Sequence, residues 1–123
     1  AGALASDDLF EMENTVSEGP PSIKLDGKSH HILGRSSTDA TVTLASPTAS
    51  RVHALLVAHK DDGLVYLIDL KSAHGTHIDG DRVPPNKPTV LKTGFEVRFG
   101  ALDGGARYRV LHAPAASRKR PAE

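Results

Sequence analysis

From Ser22 onward the chain is cut every few residues by clusters of Gly, Pro, Asp and Ser, and this punctuation leaves room only for short elements. Between the cuts lie segments rich in Val, Ile, Leu and Thr, residue types that suit a pleated, half-buried surface. The segments fall near Ile23–Leu25, His31–Gly34, Thr41–Leu44, Val52–His59, Leu64–Asp69, Thr76–Ile78, Val90–Leu91, Glu96–Phe99 and Tyr108–Leu111. Many short strands at close spacing predict an all-β fold, an antiparallel β-sandwich. Asp61-Asp62-Gly63 and Asp79-Gly80 carry the turn chemistry of hairpins. Glu96–Phe99 alternates polar and apolar, as a strand with one buried face does. No helical period interrupts the region, which argues against a parallel α/β sheet.

A chain of 123 residues has the length of one domain. It contains no Cys, so disulfides and Cys-ligated zinc are excluded. The lack of Cys and of an apolar leader reads as intracellular. No apolar run reaches the ~18 residues of a membrane span, so no membrane partner is expected. The zero net charge hides an asymmetry. Residues 1–22 hold Asp7, Asp8, Glu11, Glu13 and Glu18 with no Lys or Arg, whereas residues 23–112 hold twelve Lys and Arg against nine Asp and Glu. The reading is therefore three-part. Residues 1–21 form an acidic, flexible arm ending at Gly19-Pro20-Pro21, with a short helix over Asp7–Met12 capped by Ser6. Residues 22–112 form the domain, and residues 113–123 a basic, disordered tail. The arm is expected to be solvated rather than folded over the basic body. The basic residues are scattered rather than clustered, and no direct nucleic-acid contact is expected.

Three short motifs fall on loops between the strands: Gly34-Arg35, Ser50-Arg51-Val52-His53, and Ser72-Ala73-His74-Gly75-Thr76. Gly34 lets the backbone turn and presents Arg35, whose planar fork of donors suits a phosphate. Ser50 adds a short hydroxyl, Arg51 a second charge, and the loop amides further donors. Such a set can hold a dianion through several charge-assisted hydrogen bonds, each worth roughly 1.5–3 kcal/mol.

Taken in this order, the motifs resemble the forkhead-associated (FHA) family, over about Ser22 to Leu111. The stretches from Ser50 to Ala54 and from Leu67 to Thr76 are similar to a branch of that family found in nuclear regulators of protein phosphatase 1, which carries His where most members have Asn before Gly-Thr. The resemblance implies a sandwich with ligand loops at one end, binding phosphothreonine on partner proteins. Arg35, Ser50 and Arg51 match phosphate-contacting positions. His53 matches a brace inside the loops. Ala73 and His74 match positions that face the peptide, and Gly75 and Thr76 match the turn that sets their loop. Ala73 departs from the usual Thr or Ser and should weaken phosphate contact. The branch further implies a nuclear location, Thr-Pro phosphosites, splicing and signalling contexts, and contact with protein phosphatase 1 only through regions outside this sequence. The domain is expected to be monomeric and to need no cofactor.

Other chemistry fits less well. Seven His residues include His74-x-x-His77, but no helical spacing places them as ligands, and no metal is expected. Val97-Arg98-Phe99 resembles a phosphatase-docking motif only superficially and reads as a core strand. An enzyme would need a nucleophile with a positioned base. On a strand, Ser50 and His53 would point to opposite faces, so no enzyme is expected. The alternative is a degenerate FHA scaffold that binds partners independently of phosphate.

Overall fold

The computed structural model describes residues 10–16, 18–25, 28–59, 62–101 and 105–114. Among them are eleven strands and no helix: β1 Glu11–Asn14, β2 Ser22–Lys24, β3 His30–Gly34, β4 Val42–Thr43, β5 Ala54–Ala58, β6 Val65–Asp69, β7 Thr76–Ile78, β8 Asp81–Arg82, β9 Thr89–Val90, β10 Glu96–Phe99 and β11 Ala106–His112. They build two sheets, ordered β2-β1-β11-β10-β7-β8 and β4-β3-β5-β6-β9. Every strand pair is antiparallel except β3 with β4.

Alternation explains the layering. In β6, Val65, Leu67 and Asp69 are buried while Tyr66 and Ile68 are half-buried. In β10 and β11, Val97, Phe99, Tyr108 and Val110 turn into the core. They meet Leu33, Leu56 and Leu67 of the opposite sheet in one apolar cluster. Each such side chain contributes about 1.5–3 kcal/mol by leaving water. Phe99 and Tyr108 pack edge to face, with ring centroids 6.2 Å apart.

The N-terminal reading is corrected. Residues 10–16 and 18–21 are packed into the domain rather than forming an arm, and Phe10–Met12 are not helical. β1 is an inner strand, flanked by β2 and β11. Phe10 and Met12 are fully buried, and Met12 stands between Ile23 and Val110. Burial of these two side chains outweighs the acidic, cap-like look of the segment. Pro20-Pro21 is a turn inside the domain rather than its boundary. Its carbonyls accept where its nitrogens cannot donate: Asn14 N donates to Pro21 O (2.8 Å), and Asn14 Nδ2 (3.0 Å) and the Tyr108 hydroxyl (2.9 Å) donate to Pro20 O. The expected helix positions Asp7–Leu9 and the tail from residue 115 lie outside the described residues.

Both predicted hairpins form. Asp79 and Gly80 have φ of 51° and 89°, as a two-residue turn of the I′ class requires. The β5–β6 hairpin closes with Asp62 accepting from Leu64 N (2.9 Å) and the Tyr66 hydroxyl (2.5 Å), while Lys60 and Asp61 lie outside the described residues. β5 begins at Ala54 rather than Val52, which leaves residues 50–53 in a turn at the end of the sandwich.

Candidate functional site

Three connections meet at one end of the sandwich, those following β3, preceding β5 and preceding β7. Gly34 ends β3 because nothing larger fits. A Cβ there would lie 2.0 Å from the Arg51 carbonyl oxygen. The close approach lets Arg35 N donate to Ser50 O (2.9 Å) and Ser36 N to Arg51 O (3.3 Å). Arg35 is exposed, and its Nε donates to Ala49 O (2.9 Å). That bond fixes the plane of the guanidinium. The remaining N–H groups of Arg35 have no hydrogen-bond partner among the described residues.

Ser50 joins two loops. Its Oγ accepts from Ala73 N (3.0 Å), which leaves its own O–H to donate elsewhere. Its backbone N–H donates to His53 Nδ1 (3.0 Å). The expected divergence of Ser50 and His53 therefore does not occur, because these residues turn instead of running as a strand. The contact is through main chain and gives no activated hydroxyl.

His53 is fully buried and braces the loops. Since Nδ1 accepts, Nε2 carries the proton and donates to Gly75 O (3.0 Å). Burial lowers the imidazole pKa from its ordinary 6.5, and it outweighs the upward pull of the Gly75 carbonyl and of Asp69. The ring stands edge-on to Phe99, with centroids 5.8 Å apart.

A second hub lies beneath the same loop. Asp69 is buried at the end of β6. Its Oδ1 accepts from the hydroxyls of Ser72 (2.5 Å) and Thr76 (2.7 Å), and its Oδ2 accepts from Ser72 N (3.1 Å). Ser72 Oγ in turn accepts from Gly75 N (3.0 Å). Gly75 has φ of 88°, and a Cβ there would come 2.6 Å from Arg82 Nε. Ala73 and His74 are left exposed at the loop tip.

The structure thus gathers Arg35, Ser50 and Ala73 at one rim, places His74 next to them in the chain, and puts His53, Gly75 and Thr76 beneath. Arg51 does otherwise. Its Nη2 pairs with Asp39 Oδ2 at 2.6 Å, both side chains being largely exposed. An exposed pair of this kind is worth at most about 1 kcal/mol, so the pairing is readily exchanged. The sequence did not mark Asp39 or the role of Asp69. An Asp three residues before a Ser in a turn is the signal that could have pointed to Asp69. Among the described residues no group of His, Asp and Glu is arranged to hold a metal ion.

Residues 31–100 match the model of the FHA domain family. The chain is 40% identical to the nuclear inhibitor of protein phosphatase 1 of Mus musculus and 34% identical to that of Homo sapiens, in each case over 76% of this chain and 30% of the relative. It therefore spans about a third of the length of these curated relatives. Among solved structures it resembles an engineered FHA with Myc-pTBD peptide, with a TM-score of 0.73, 18% identity, and 89% and 95% of the two chains covered. It also resembles the N-terminal FHA domain of S. cerevisiae Rad53p in complex with a phosphothreonine peptide, with a TM-score of 0.70, 19% identity, and 85% and 93% covered.

Proposed function

The chain belongs to the FHA domain family, and from that premise we propose that its loop end binds phosphothreonine in an extended peptide of a partner protein. The observation that carries this reading is the pairing of a fixed but unsatisfied guanidinium, Arg35, with a Ser50 hydroxyl already held by the Ala73 amide. Arg35 supplies charge and two-pronged donation, Ser50 its O–H, and His74 aligns the peptide main chain. Arg51 joins by leaving Asp39. The phosphate gains contacts that an unmodified threonine hydroxyl cannot make. The role is recognition and not catalysis. The partners fitting this reading are nuclear proteins phosphorylated at Thr-Pro sites, bound by a monomeric domain. Regulation of protein phosphatase 1 would then belong to further parts of a longer protein.

A second reading, a scaffold that ignores phosphate, is favoured by two observations: Ala73 lacks a hydroxyl, and Arg51 is already paired. Calorimetry with one Thr-Pro peptide, phosphorylated and unphosphorylated, separates the two. Binding of the phosphorylated form alone supports the first. Arg35→Ala should then weaken binding by roughly 2–5 kcal/mol while leaving the unfolding midpoint nearly unchanged. Normal binding by Arg35→Ala, or equal binding of the two peptides, sinks it.

A further inference from the structure

Four directly opposed residues on adjacent strands of the six-stranded sheet are all basic. Arg107 on β11 faces Arg98 on β10, Arg98 faces His77 on β7, and His77 faces Arg82 on β8. Their neighbours Val97, Phe99, Ile78 and Tyr108 fill the core, so the row stands on the outer face of the sheet. Arg98 and Arg107 are like charges set directly opposite one another, which destabilises a sheet. Arg82, Arg98 and Arg107 form no ion pair. Glu96, the carboxylate of β10 on this face, stands two residues along, opposite Arg109.

Burial sharpens the conflict. Arg98 is only 9% exposed, and its Nε is buried without a partner. His77 Nδ1 is buried without one as well. A buried donor left unpaired is costly, and an anion drawn to the Arg98 guanidinium would offset part of that cost. The row also ends beside the loop already described, since the Arg82 side chain lies over Gly75.

We propose that Arg98, His77 and Arg82 form a second oxyanion site, taking a phosphate group on the same partner segment that presents the phosphothreonine. This inference rests on the phosphothreonine reading for its partner, although the site itself does not. A phosphate suits the row better than a carboxylate, because it brings three acceptor oxygens and about two negative charges to two guanidinium groups and an imidazole. Arg98 and Arg82 lie two strand spacings apart, about 10 Å, with His77 between them, and their long stems can close on a group over the imidazole. Burial first, then Arg98 and Arg82, lower the pKa of His77, while Asp69 of β6 acts in the opposite sense. An anion there would raise it. The reach is short. The Ser50 hydroxyl is 3.0 Å from Ala73 N, and His77 is four residues further. An extended peptide covers that span in about three to five residues.

Two measurements test this. First, inorganic phosphate is titrated into the Arg35→Ala protein, in which the first site is disabled, while the His77 ring is followed by NMR. A saturable shift with a raised His77 pKa is expected, and an unmoved ring overturns the site. Second, a phosphothreonine peptide is compared with one bearing a phosphoserine about four residues away. The doubly phosphorylated form should bind about tenfold tighter through the linked contact. Arg82→Gln, a change at an exposed residue, should abolish that gain and leave the singly phosphorylated affinity intact. Arg98→Gln should do the same wherever its unfolding transition shows a folded protein. A gain that survives Arg82→Gln refutes the proposal. Failure of both peptides to bind while the His77 ring still moves would sink the phosphothreonine reading and leave the oxyanion site standing. An oligonucleotide that outcompetes the doubly phosphorylated peptide at His77 would overturn the choice of a phosphoprotein.

Discussion

Replacing His53 by Ala should unfasten the recognition loops before it touches any ligand contact. The ring takes a hydrogen bond from Ser50 N and gives one to Gly75 O, both at 3.0 Å. Neither partner is stranded by its loss. Gly75 O still accepts from Gly100 N (3.0 Å), and Ser50 is only half-buried. Each lost bond therefore costs about 1 kcal/mol rather than a full desolvation penalty. The vacated space adds more, because the imidazole is fully buried against Phe99. Removing a buried side chain of this size costs about 2–5 kcal/mol, and much of that is the cavity. A total of about 4–7 kcal/mol is expected. Urea unfolding followed by circular dichroism measures it as a lowered midpoint with unchanged slope. Phosphopeptide affinity, measured where the variant is still folded, should fall less than for Arg35→Ala. A stability loss below about 1 kcal/mol would show that the loops do not depend on this ring.

Burial lowers the pKa of both His53 and His77 from 6.5, so below that pH the unfolded chain takes protons that the folded one refuses. Stability should be level above pH 6.5 and fall as pH drops further, by at most about 1.4 kcal/mol per unit for each group. Denaturation midpoints between pH 5 and 8 test this, and a flat profile, or one rising toward acid, contradicts it. Gly34→Ala places a methyl group 2.0 Å from the Arg51 carbonyl and should cost about 3 kcal/mol of stability and weaken phosphopeptide binding. Thermal unfolding and calorimetry on the same protein would show both effects, and a neutral outcome would mean that the loops can part. Ala73→Thr restores a hydroxyl beside Ser50 and should tighten phosphopeptide binding by about 1 kcal/mol, an effect that calorimetry would find absent if the phosphate sits elsewhere.

The strands from β2 to β7 and from β9 to β11 were legible because each carries Val, Ile, Leu or Thr beside a turn signal on its flank. β1 was not. Its Glu-Met-Glu-Asn text offers one apolar residue between acids, and only the opposing Ile23 and Val110 make Met12 a core residue. β8 is two residues long, and neither Asp81 nor Arg82 has any strand preference of its own. At the site, residue type was enough to mark Arg35 and Ser50, because a planar donor fork and a small hydroxyl announce their chemistry. The Arg51–Asp39 pair was hidden because it joins residues twelve positions apart through a fold the text does not spell out. The basic row was hidden for the same reason. Its members lie at 77, 82, 98 and 107, and only sheet register sets them opposite one another.

The pairing of Glu11 with His112 has a consequence for how such a domain can be wired into other polypeptides. β11 starts opposite the end of β10, close to the loops that carry Ser50 and Ala73, where Gly100 N bonds Gly75 O and Ala101 N bonds Thr48 Oγ1, and its seven residues run to His112, roughly 20 Å away. Chain flanks joined at Glu11 and His112 therefore enter and leave side by side, at the pole opposite those loops. A domain of this shape behaves as a plug-in cassette. Splicing into a host sequence, tethering on either side, or circular permutation by a short bridge across that pole should all leave the loops at the far end facing outward.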